Sequence, residues 1–134
     1  TRSVIHYKVI LLDTSVLIDA LTGSRRSAPA LRRAIESGDR IALPTLVLYE
    51  WQRGPRRPEE LAAQEALWPA DTAIAFGPDE AATAAQLYRS IRAPRGREID
   101  LAIAACAICW DAALWTLNIK DFRDVPGLEL FGPL

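Results

Sequence analysis

Apolar residues run without a break through Val9-Ile-Leu-Leu12 and stop at Asp13, the pattern of a short strand buried on both faces. Thr14-Ser15 then supplies a cap for a helix through Val16, Leu17 and Ile18. From Ala28, with Pro29 at a first helical position, Leu31, Ala34 and Ile35 recur at helical spacing until Ser37-Gly38 stops them. Ile41 to Leu43 predicts a second strand, and Pro44-Thr45 opens a helix from Leu46 to about Arg53, closed by Gly54-Pro55. Beyond it the pattern predicts a helix from about Glu59 to Leu67, a short strand around Thr72 to Phe76 and a long helix from Asp79 to about Arg92. An alanine-rich helix from Glu98 to Asp111 follows, then strands at Ala113 to Thr116 and Leu128 to Phe131. Strands that alternate with helices predict an α/β fold, a three-layer α/β/α sandwich around a central parallel sheet.

The size of the chain, 134 residues with 50% hydrophobic positions, predicts one domain over residues 1–134 that builds its core without disulfide or metal staples. No apolar stretch approaches a membrane span, and Thr1 to Lys8 lacks the basic-then-apolar order of a signal peptide, so a cytoplasmic protein is expected. Lys and Arg total 16 against 17 Asp and Glu, a net charge of -1 that excludes a broad basic surface but not local phosphate contacts. Cys106 and Cys109 form a C-x-x-C deep in the apolar run Leu101 to Trp110. With His6 the only histidine, a closed zinc site lacks ligands, and both thiols are expected in the core.

Chemistry is expected just after the strands, because the crevice of an open parallel sheet lies beyond their carboxyl ends. Asp13 sits there, although a cap or turn also explains an Asp-Thr-Ser. Glu50 shares a helical face with Leu46 and Val47, which puts a carboxylate on an apolar stripe. A capping box opened by Thr45 would need its acid at Leu48, so capping does not account for it. Asp100 lies in the first turn of a helix that is otherwise small and apolar, and Asp121 follows the strand Ala113 to Thr116. Four acids converging on one edge repel one another unless protons or cations intervene. Oxygen ligands without histidine or thiolate suit Mg²⁺ or Mn²⁺, and the expected chemistry is metal-assisted phosphoryl hydrolysis. A nucleophilic triad has no histidine to use, since His6 has no obvious partner.

Taken together, Leu11-Leu-Asp13-Thr-Ser-Val-Leu-Ile-Asp19, Glu50 after Leu46-Val-Leu-Tyr, Ile99-Asp100-Leu-Ala-Ile-Ala-Ala, and Thr116-Leu-Asn118-Ile-Lys-Asp121-Phe122 resemble a PIN domain. They are similar in particular to the VapC-type toxins of bacterial toxin–antitoxin pairs. The resemblance implies an endoribonuclease in which Asp13 and Asp100 hold the metal directly, Asp121 directly or through water, and Glu50 orients the attacking water. It also implies a small VapB-type antitoxin as partner, and a homodimer. Asp19, Asp111 and Asp124 fall outside the pattern and read as surface acids or caps.

The basic residues are 14 Arg and 2 Lys, and the arginines cluster. Arg95 and Arg97 lead into Asp100 and are the expected substrate contacts, with Thr14, Ser15 and Asn118 beside the acids. The run Gln52 to Pro58 is richer in Arg and Pro than the fold requires. Trp51 and Trp68 are expected in the core, with a partner groove as the alternative. Among rivals, a phosphoaspartate phosphatase needs an acid where Ser15 stands. A receiver domain needs a phosphoacceptor after a central strand, which neither Ile41 to Pro44 nor Thr72 to Phe76 supplies. A non-catalytic RNA- or protein-binding module of the same fold, or a housekeeping nuclease outside a toxin pair, stays open.

Overall fold

The computed structural model describes residues 8–132, so His6 lies outside the described residues. Four parallel strands, β1 (Val9–Leu12), β2 (Arg40–Ala42), β3 (Ala113–Trp115) and β4 (Glu129–Leu130), form a sheet in the order β2-β1-β3-β4. Ile10 stands opposite Ile41 on one side and Ala113 on the other, and Leu114 pairs with Leu130. The chain leaves β1 toward β2 and later returns to the other side of β1 as β3. The strand order therefore reverses between β1 and β3, and a crevice opens beyond their carboxyl ends.

Six helices, α1 (Thr14–Leu21), α2 (Ala28–Glu36), α3 (Thr45–Arg53), α4 (Pro58–Leu67), α5 (Pro78–Ser90) and α6 (Glu98–Cys109), complete the α/β fold. Helix α6 carries the core: Leu101 through Cys106 and Ala107 are all buried, so it is enclosed on nearly every side. Ile10, Leu11, Leu12, Leu114 and Trp115 of the sheet belong to the same buried core, and each large apolar side chain so buried contributes about 1.5–3 kcal/mol. Trp115 also packs on Phe131 with ring centroids 5.0 Å apart.

Several expectations need correcting. Asp13, not Thr14 or Ser15, is the residue before α1: its extended backbone continues the strand, and its carbonyl accepts from the N–H groups of Val16 and Leu17. Pro44 likewise precedes α3, so Thr45 is already helical. Thr72 to Phe76 is no strand. Ala70–Thr72 is a 3₁₀ turn, and only Ile74 pairs, its N–H on the carbonyl of Leu43 and its own carbonyl accepting from Thr45. Trp51 and Trp68 are both buried, which leaves neither for a partner groove. Cys106 is buried but Cys109 is exposed at the last turn of α6, where its Sγ lies 3.3 Å from the Thr83 hydroxyl. Helix α6 ends two residues before Asp111, whose φ of 50° is left-handed and cannot continue it.

Candidate active site

Asp13 directly follows β1 and is 4% exposed, on the lip of the crevice between β1 and β3. Its N–H donates to the carbonyl of Trp115, which stitches this lip to β3. A carboxylate this deep needs donors, and two hydroxyls supply them: Thr116 at 2.7 Å and Ser15 at 2.9 Å, both on Oδ2. The same two oxygens then accept from the backbone. Ser15 Oγ takes the N–H of Leu117 and Thr116 Oγ1 that of Asn118, both at 3.0 Å, so the loop after β3 is tied to the residue after β1. Ser15 and Thr116 thereby orient Asp13, and Asn118 enters the network through its backbone.

Glu50 comes from α3, where its neighbours Val47 and Trp51 are buried. Its side chain is held by a hydroxyl one residue from Asp13: Thr14 Oγ1 donates to Oε1 at 2.6 Å across 36 positions of sequence. Arg53, one turn on, approaches the other oxygen at 3.5 Å while its guanidinium lies over the Tyr49 ring.

Asp100 sits in the first turn of α6, set up by a tight turn in which Gly96 takes φ 87° and donates its N–H to Glu98. Burial and then the fields of Asp13, Asp121 and Glu50 push the Asp100 carboxyl from its ordinary 3.8 up to about 6, against a smaller opposing pull from Arg97. Asp13, Asp121 and Glu50 thus each lie within electrostatic reach of Asp100. Asp121 is the most exposed of them, at the end of the short turn Ile119–Asp121.

Arg97 does something its position in the sequence did not announce. Its guanidinium makes a forked pair with Asp124 at 2.6 and 2.9 Å and donates at 2.8 Å to the backbone carbonyl of Asp121. That pairing holds the Asp124 carboxyl below the usual range. Arg97 therefore clamps the Asp121 turn to the start of α6, and Asp124, expected as an idle surface acid, is its partner. Arg95 is exposed.

The donor set at this edge is oxygen alone, which fits a hard dication and not zinc or copper. No three acidic, His or Cys side chains among the described residues form a ready-made cage. The fit is to Mg²⁺ in its common form, held by one or two carboxylates with water completing the shell.

Comparison with known proteins agrees with this fold. The PIN domain family model matches residues 10–128, which take in β1 from Ile10 on, β2, β3, all six helices and the four acids. Ribonuclease VapC19 of Mycobacterium tuberculosis is 37% identical over 121 residues, covering 89% of this chain and 96% of that protein. The crystal structure of VapBC2 from Rickettsia felis bound to a promoter DNA fragment superposes with a TM-score of 0.70 at 21% identity, over 92% of this chain and 97% of that one. DNA-bound VapBC from Salmonella typhimurium gives 0.72 at 18%, over 94% and 98%. From the strand order, the four acids and these matches together, the chain belongs to the PIN-domain family, among its VapC members.

Proposed function

We propose that this chain is the toxin of a VapBC-type pair: a cytoplasmic endoribonuclease, one domain over residues 1–134, that hydrolyses RNA phosphodiester bonds with Mg²⁺ or Mn²⁺ held by Asp13 and Asp100, and by Asp121 directly or through water. The observation that carries this reading is that Asp13, which follows β1, Asp121, which follows β3, and Glu50 of α3 are all close enough to Asp100 to raise its proton affinity. Such repulsion is relieved by a cation and suits no apolar or anionic ligand.

When bound, the ion supplies Lewis acidity at the scissile phosphate and offsets charge on the leaving oxygen. The chain's own residues do the rest. Ser15 and Thr116 donate to Oδ2 of Asp13 and fix the carboxylate that would hold the cation. Thr14 fixes Glu50, whose carboxylate would orient the attacking water as the phosphorus–oxygen ester bond breaks. The leaving oxygen takes a proton from solvent. Arg97 holds the Asp121 turn in register, and Arg95 meets the strand.

The name of VapC19 as a ribonuclease and the VapBC complexes of similar fold support an RNA substrate and a VapB-type antitoxin partner. A homodimer belongs to the same reading, and no helix among the described residues is long and apolar enough to cross a membrane. Expression in a bacterial host tests the toxin role. Growth arrest by the wild type, absent for Asp13→Asn and relieved by the small gene that neighbours it, is expected; continued growth with soluble wild-type protein would refute it.

A further inference from the structure

We infer that the cleft between the end of α1 and the start of α4 is a phosphate subsite, in which Arg56 and Arg57 hold a phosphodiester of the RNA strand flanking the one that is cut. The inference rests on the ribonuclease reading above. The cleft has a volume of about 480 Å³ and is lined by Thr22, Pro55, Arg56, Arg57 and Glu60.

Its cations are organised in advance. The Arg56 guanidinium lies over the buried Trp51 ring at 4.4 Å and donates to the carbonyl of Pro55 at 3.1 Å. An arginine stacked in this way has little side-chain freedom left to lose when it takes a bidentate phosphate. Its Nε is buried with no hydrogen-bond partner, so the protein itself does not satisfy this donor. Neither Arg56 nor Arg57 is in a salt bridge among the described residues, in contrast to Arg53 and Arg97. The one acid on the cleft wall, Glu60, is already bonded through Oε1 to the Arg57 backbone N–H at 2.8 Å. Two guanidinium groups thus face one engaged carboxylate, which favours an anion.

Position selects the RNA backbone as that anion. Helix α1 begins at Thr14, bonded to Glu50 in the active site, and its C-cap Thr22 lines the cleft. Eight helical residues separate the two by about 12 Å, within reach of a short single strand. On α3, Arg53 stands beside Glu50, and the chain passes through Gly54-Pro55 directly to Arg56 and Arg57. The carboxylates and the arginines therefore lie along one continuous track.

The test is fluorescence anisotropy of a labelled single-stranded RNA decamer in EDTA, which stops metal-dependent cleavage, over 50 to 200 mM salt. Each phosphate contact to a single strand adds about 0.7 to the slope of log affinity against log salt. Arg57→Gln is expected to lower the slope by about 0.7 and the Arg56→Gln/Arg57→Gln pair by about 1.4, so that the wild type loses about sevenfold more affinity than the pair across that range. Arg40→Gln, at the opposite end of the strands, is the control and is expected to leave the slope unchanged. Arg57→Gln keeps the test decisive if loss of the Trp51 stack unfolds the pair, because its side chain is exposed and Glu60 bonds only its backbone.

Unchanged slopes in folded variants would overturn the subsite, as would an equal drop for Arg40→Gln. Weakened binding of an acidic peptide with RNA binding intact would also overturn it, in favour of a protein partner. Metal-dependent cleavage by the wild type is scored separately. Its presence with unchanged slopes rejects the subsite alone, and its absence with lowered slopes rejects the nuclease reading alone.

Discussion

Asp100→Asn should stabilise the metal-free protein, and by an amount that depends on pH. In the wild type, burial and three neighbouring carboxylates raise the Asp100 carboxyl from 3.8 to about 6, so the folded state holds this proton more tightly than the unfolded chain. At about 1.36 kcal/mol per pH unit, the rise corresponds to an upper bound of about 3 kcal/mol. The carboxyl is only partly buried, and solvent screening reduces this to about 1–2 kcal/mol. The sign follows from linkage. A folded-state value above the unfolded one gives stability that is fully present below about pH 4 and lost as pH rises through 6. Asparagine does not titrate, so the stability difference between variant and wild type should grow in the variant's favour by about 1–2 kcal/mol from pH 4 to pH 7. Urea unfolding in EDTA at pH 4, 5, 6 and 7 measures it, and the subtraction removes titrations the two proteins share. Added Mg²⁺ at pH 7 should restore the wild type, by about 2.7 kcal/mol at a hundredfold excess over Kd, and act less on the variant. A difference that stays flat with pH would refute the claim that these carboxylates share one field.

Three further outcomes follow from the same contacts. Thr14→Val removes the 2.6 Å hydroxyl bond that holds Glu50, and cleavage assays should show about a tenfold loss with a stability cost of about 1–2 kcal/mol, while Thr14→Ser retains both. Arg97→Ala releases the Asp121 carbonyl and Asp124; because Asp124 is exposed, chemical denaturation should register less than about 1 kcal/mol, while activity falls much further. A thiol reagent should label Cys109 in the native protein and Cys106 only after unfolding, since Cys106 is fully enclosed and burial pushes its thiol up to about 11.

The sequence was most informative where local pattern and tertiary role coincide. Val9 to Leu12 reads as a buried strand because both faces are covered, and α6 reads as a buried helix because little but small and apolar residues follow Asp100. The acids were candidates because they follow strands or share a face with apolar neighbours, and the structure sets Asp13, Asp121 and Glu50 within electrostatic reach of Asp100. Features that depend on a distant partner were not. Thr14 looked like a helix cap, but the hydroxyl serves Glu50, 36 residues away, while Asp13 occupies the junction. Arg97 looked like a substrate contact, and its fork meets Asp124, 27 residues on. Thr72 to Phe76 carries strand-like residues, yet strand formation needs a ladder, and only Ile74 finds one beside Pro44. Cys109 shares an apolar run with Cys106 but falls on the last turn of α6, where the helix emerges into solvent.

The central claim, that four carboxylates at the edge of this sheet cleave RNA with a divalent ion, is tested most directly by incubating the purified protein with mixed cellular RNA. The lanes needed are Mg²⁺, Mn²⁺ and EDTA, beside Asp13→Asn under each condition. Discrete fragments from the wild type with either ion, none in EDTA and none from the variant are predicted; equal cleavage, or none, in every lane would contradict the account.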